Sequence, residues 1–240
     1  MGPVASFLIV PILAEMGASV FGWRFVIEAM GWFCVAFGIL FMVIAKGGRT
    51  PSPRLSLAGV SAIVKNPMGW LFAWLAGLGV AGEIAAYSVL TMYLTEERAM
   101  PADTAAYLLS VSRLAAPFTV FLGGWLCNRM GSTKTLALCL LSFAVSLLLM
   151  AAPWRSVYLP GMFLQPTVCA MIFPPIFTFL VAQFAVKDQA TVLALGMPIG
   201  CFLGVGAIPA LLGLSGDTLG FAAGFVILGA VVAATLPLLA

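Results

Sequence analysis

Residues 123–134 read Gly123-Gly124-Trp125-Leu126-Cys127-Asn128-Arg129-Met130-Gly131-Ser132-Thr133-Lys134. Two basic residues and a helix-breaking glycine stand here between two long apolar stretches, 104–127 and 134–152. A mostly apolar stretch of about 20 residues is long enough to cross the hydrocarbon core of a bilayer. A short basic turn joining two of them is a tight loop where two membrane helices meet water.

The rest of the chain has the same character. It is 63% hydrophobic and 8% charged, with a net charge of +3 and a mean hydropathy of +1.16. Soluble domains carry roughly 25% charged residues. There is no histidine, which removes histidine metal sites, Ser-His-Asp triads and histidine proton relays. Five cysteines (Cys34, Cys127, Cys139, Cys169 and Cys201) form no C-x-x-C pair and are odd in number, so they read as packing residues, not a disulfide framework. No nucleophile–base pair or metal-ligand cluster stands in any apolar stretch, so an enzyme is not expected, nor a cofactor, nor a nucleic-acid partner. These features describe an all-α polytopic protein whose constant partner is the lipid bilayer.

Breaking the sequence at its charges and Gly/Pro clusters predicts eight transmembrane helices, over 2–20, 25–45, 67–94, 104–127, 134–152, 157–183, 190–213 and 219–240. Lys and Arg favour the cytoplasmic side. Lys46, Arg49, Arg54, Lys65, Arg129, Lys134 and Lys187 fall in the loops after the second, fourth and sixth spans, against Arg24, Arg98 and Arg155 on the other side. This predicts cytoplasmic termini in the cytoplasmic membrane, with the 123–134 turn inside. The one true linker is 46–66, with helix breakers Gly47, Gly48, Pro51 and Pro53, and a short interfacial helix within 55–64 is conceivable.

The first and seventh spans echo one another. Gly2-Pro3-Val4-Ala5-Ser6-Phe7-Leu8 runs parallel to Met197-Pro198-Ile199-Gly200-Cys201-Phe202-Leu203, and after an insertion Pro11 falls on Pro209 and Gly22 on Gly220. A repeat six helices apart without inversion is what two equivalent six-helix halves leave behind.

On these residues the chain resembles the major facilitator superfamily (MFS). The turn at 124–134 is similar to its cytoplasmic-loop signature, G-x-L-x-D-R-x-G-R-[RK], at Gly124, Leu126, Arg129, Gly131 and Lys134. Asn128 replaces the usual Asp and Ser132 a basic residue. Phe21-Gly22-Trp23-Arg24 resembles the G-W-R between that family's helices five and six, and Gly2-Pro3 the end of its antiporter motif, whose last two glycines are here Ser6 and Phe7. The resemblance implies helices five to twelve of a twelve-helix plan: the last two helices of the N-terminal half (1–45), a cytoplasmic linker (46–66) and a complete C-terminal six-helix half (67–240). It also implies a piece of a longer reading frame, since four helices are missing, and such a piece is expected not to transport alone. The expected function is alternating-access transport of a small-molecule substrate, an anion being one option, with a proton or another coupling ion. Efflux of drug-like amphipaths is the alternative within the class, and a non-transporting assembly module the alternative outside it. Gly124, Asn128, Arg129, Gly131 and Lys134 would form the inner gating motif.

Charges deep in a span are costly and usually functional. Glu83 and Arg113 are the deep ones. Counted from the cytoplasmic ends, they lie about 22 Å and about 21 Å up antiparallel neighbouring helices at 1.5 Å per residue. Three readings compete: a structural ion pair, an Arg113 that grips an anionic substrate, and a Glu83 that carries the coupling proton. Tyr87, one turn from Glu83, could share the site. Gln165 is the other deep polar group, and bonds either a neighbouring helix or the substrate. Gly200, Gly204, Gly220 and Gly224 are expected to let helices approach closely, and Pro174-Pro175, Pro198 and Pro209 to kink them.

Overall fold

The computed structural model describes residues 17, 20–45, 60, 61 and 64–239. Seven helices among the described residues are long and apolar enough to span a membrane. They are α1 (Trp23–Ile44), α2 (Pro67–Glu97), α3 (Ala102–Met130), α4 (Ser132–Ala151), α5 (Arg155–Gln183), α6 (Val186–Thr218) and α7 (Phe221–Leu239). They correspond to the second to eighth expected spans. The first, 2–20, lies outside the described residues apart from isolated positions, so seven spans stand described and not eight. Most of the linker 46–66 and the 2–16 part of the internal echo are outside them too.

The chain divides into two compact units, Met1–Arg54 and Leu55–Ala240. In the first, α1 is a continuous apolar helix that starts after Gly22 and ends at Ala45. In the second, α2 is the most buried span. It packs on α5 and α6, while α4 packs on α5 and α7, and α3 on α5. The core gathers Phe72, Leu75 and Leu78 of α2, Phe143 and Leu147 of α4, Ile172 of α5 and Phe225 of α7.

Hydrophobicity does not drive helices together in lipid, so close backbone approach must supply the attraction. The α2–α6 crossing shows it. A Cβ on Gly200 would stand 2.9 Å from the Gly77 nitrogen, and one on Gly204 would stand 2.7 Å from the Ala81 nitrogen. Gly224 likewise lies against Ser215 of α6. Turns are set by other glycines: Gly131 between α3 and α4 has φ 84° and Gly220 between α6 and α7 has φ 89°, values that residues with a Cβ rarely adopt. The N-terminus of α2 is closed by Asn66, whose side chain accepts from the Met68 amide at 2.9 Å.

Besides α7, which tightens to a 3-10 turn at Leu236–Leu239, three spans depart from uniform α-helix. α2 runs α over Pro67–Val80, widens to a π turn at Ala81–Ala85, resumes α over Ala86–Met92 and widens again at Tyr93–Glu97. α6 widens at Phe202–Ala207. The turns at 81–85 and 202–207 meet at the same crossing, where Gly204 touches Ala81. α3, expected as one unbroken helix over 104–127, is interrupted instead. Ala102–Ser112 ends at Arg113, and Ala116–Met130 begins after it. Pro117 explains the break, since it has no amide to offer the Arg113 carbonyl four residues back. That carbonyl accepts from Ala116 at 3.1 Å, within a tightened turn in which Arg113 and Leu114 also donate three residues back. By contrast α5 stays helical through Pro160, Pro166, Pro174 and Pro175.

Candidate functional site

The π turn of α2 and the break in α3 face each other, and the four predicted binding residues converge there. Arg113, at the break, reaches the π turn with both terminal nitrogens: Nη1 lies 3.3 Å from Glu83 Oε2 and Nη2 donates to the Glu83 carbonyl at 2.7 Å. Its guanidinium carbon sits 4.0 Å from the centre of the Tyr87 ring, within reach of a cation–π interaction. Gln165, from α5, donates to the neighbouring Gly82 carbonyl and stands 3.3 Å from Cys169 Sγ. Glu83, Arg113 and Gln165 are buried and Tyr87 is half-buried.

The π turn makes this arrangement available. A turn closed by i→i+5 bonds is wider than an α turn; here the Ala86 amide reaches back five residues to the Ala81 carbonyl. The carbonyls of Gly82 and Glu83 take side-chain donors from two other helices. Gly82 also admits α5 to close range, since a Cβ there would collide with Cys169 Sγ. Glu83–Arg113 is the only ion pair among the described residues, and Glu83 Oε1 is the only fully buried side-chain oxygen or nitrogen among them without a hydrogen-bond partner.

The basic turn joins α3 to α4. Gly131 supplies the left-handed turn. A Cβ on Gly124 would have nothing within 4 Å among the described residues. The neighbouring Gly123 packs closely, since a Cβ there would stand 2.6 Å from the Met171 carbonyl of α5. Arg129 lies over Trp125, one turn earlier, at 4.5 Å. Asn128 is in the last turn of α3 and Lys134 in the first turn of α4.

This architecture has solved counterparts. The E. coli fucose:proton symporter FucP superposes with a TM-score of 0.72 at 18% identity, over 97% of this chain and 60% of that one. A second structure, of the major facilitator superfamily transporter FucP in the outward conformation, gives 0.68 at 20% identity, over 92% and 57%. The chain has a partial major facilitator fold. It spans about 60% of the length of the first of these transporters. No protein-family model and no curated protein matches its sequence.

Within the facilitator fold a second polar assembly sits at the opposite end of α2, and sequence reading assigned it no role beyond an outer-loop charge on Arg98. Arg98 is stacked between Tyr93 (5.1 Å) and Tyr158 (4.9 Å). It donates from Nε to Tyr93 Oη at 2.9 Å and from Nη2 to the Ala152 carbonyl at 2.7 Å, just beyond α4. Tyr93 donates in turn to the Met150 carbonyl. The adjacent Glu97 accepts from the amides of Phe221 (2.5 Å) and Ala222 (3.2 Å), the first two residues of α7. One dipeptide thus ties the end of α2 to the C-terminal end of α4 and the N-terminal end of α7, with charges matched to both helix ends. The legible signal was a Glu-Arg pair at a span end beside tyrosines.

Proposed function

We propose that this chain forms the greater part of a secondary transporter that moves a small solute across the cytoplasmic membrane by alternating access, with Glu83, Arg113, Tyr87 and Gln165 in its binding site. The carrying observation is the buried ion pair at mid-span, held between a π turn and a helix break. Charge at that depth is expensive, and discontinuous helices at the midplane are where secondary transporters bind their solutes and coupling ions. Glu83 is the candidate coupling carboxylate; the fold's likeness to a fucose:proton symporter supports a proton as the coupling ion. The turn with Gly124, Asn128, Arg129, Gly131 and Lys134 is the inner gate, on the cytoplasmic face by its positive charge. Asn128 cannot supply a negative charge there, so that gate closes with fewer ionic contacts.

Membrane vesicles carrying the full-length protein and an imposed proton gradient test this reading. Wild-type vesicles should accumulate at least one member of a labelled panel of monosaccharides, carboxylates and ammonium compounds above protein-free vesicles. Arg113→Lys keeps the charge but loses the planar fork, and should abolish accumulation while inserting normally. Accumulation indifferent to Arg113→Lys overturns the site. Single cysteines at Lys134 and Arg98 in a cysteine-free background should label from opposite faces; labelling of both from one face overturns the orientation.

A further inference from the structure

We infer that the solute this site takes is neutral and hydroxyl-rich, and that Glu83 Oε1 accepts a hydrogen bond from one of its hydroxyls. This rests on the transport reading above and specifies its substrate class, replacing the anion that sequence left open.

Glu83 engages both terminal nitrogens of Arg113, one through its carboxylate and one through its own backbone carbonyl. Among the described residues the charges at the buried site therefore cancel. An incoming anion would have to displace a carboxylate that is fixed to the same turn as the second acceptor, and so is present at high effective concentration. It would also leave the displaced Glu83 charge buried without its partner, which is strongly unfavourable. A cation meets the converse difficulty at Arg113. A neutral solute leaves the pair intact and needs only the positions left over. Oε1 is such a position: it is fully buried, lies on a side chain 7% exposed, and has no hydrogen-bond partner among the described residues. Buried acceptors in that condition are costly until a donor arrives, and a carboxylate oxygen accepts an O–H strongly.

Three probes sharing one ring separate the charge classes: glucose (neutral), glucuronate (anionic) and glucosamine (cationic), with fucose as a second neutral sugar. The readout is the ligand-dependent shift in Tm of the purified full-length protein. Wild type should be stabilised by a neutral sugar and by neither charged one. Glu83→Gln removes the countercharge, and should lose the neutral-sugar shift and gain one with glucuronate that Arg113→Gln abolishes. Should Glu83→Gln fail to fold, Glu83→Asp keeps the charge but withdraws the oxygen, and should weaken the neutral-sugar shift at least tenfold in concentration. A larger wild-type shift with glucuronate or glucosamine than with either neutral sugar overturns the inference and leaves the site reading intact. So does the absence of any shift with the neutral sugars in a protein whose Arg113-dependent accumulation is demonstrated. Neutral-sugar shifts unchanged in both Glu83 variants and in Arg113→Lys place binding elsewhere and overturn both.

Discussion

Two arginines in this fold, Arg113 and Arg98, are satisfied in opposite ways. Arg113, at mid-span, is buried and has a carboxylate partner, a backbone carbonyl of the same residue and a tyrosine face. Arg98, at a span end, has no carboxylate partner among the described residues; it draws on carbonyls at the end of α4, the Tyr93 hydroxyl and two aromatic faces. The difference follows depth. At a helix end the unpaired carbonyls carry partial negative charge, and water is near. At mid-span helices have no spare carbonyls, so the protein must make some, by widening α2 and breaking α3, and must bring a full countercharge as well.

The comparison breaks most visibly at Arg113. Arg113→Gln leaves Glu83 buried without its partner and should destabilise the protein by about 3–5 kcal/mol, read as a fall in thermal stability and yield in detergent. Glu83→Gln together with Arg113→Gln should recover most of that loss. If the double variant is as unstable as the single, the pair is not what couples the two helices.

Gly82→Ala comes next. Its methyl group would strike Cys169, at an expected cost of about 1–3 kcal/mol, and Cys169→Ala should relieve most of it. Equal stability of Gly82→Ala and wild type would mean that α2 and α5 do not touch at the π turn. Arg98→Gln should cost less, about 1–2 kcal/mol from lost stacking and helix-end bonds, and the loss should not be mended by any single carboxylate substitution. Glu97→Gln is the smallest, about 0.5 kcal/mol, with faster hydrogen exchange confined to the first turn of α7. Exchange spread through α2 would break the distinction between the two ends.

Much of the mid-span site was legible because depth in a membrane helix is simple arithmetic. Glu83 and Arg113 count to the same level on adjacent antiparallel helices, and they meet there. Tyr87 follows from helical spacing. Gln165 bonds a neighbouring helix, one of the two uses expected for it. The π turns were not legible: Ala-Gly-Glu-Ile-Ala carries no local signal for a wider turn, which exists because donors from α3 and α5 claim the carbonyls. Pro117 was a signal for the break in α3 that the reading of 104–127 as one helix passed over. The same residue type leaves α5 continuous, because α5 is enclosed by α2, α3 and α4 while α3 is largely open on one side. The close packing of Gly123 on α5 was not legible either, since only the neighbouring helix marks it.

The π turn at 81–85 has a consequence for how this helix tolerates change in length. A turn of that kind holds about one residue more than an α turn, so α2 carries a surplus residue at mid-membrane. Deleting one alanine there, Ala81 or Ala85, would let the helix close into a regular ladder without moving the residues on either side out of register with their neighbours. Deleting one residue within the regular α segment Pro67–Val80 would rotate every contact beyond it by about 100°. A one-residue gap in the middle of a membrane span is ordinarily the mark of a faulty alignment. At this turn a related helix could be shorter and still superpose at both ends.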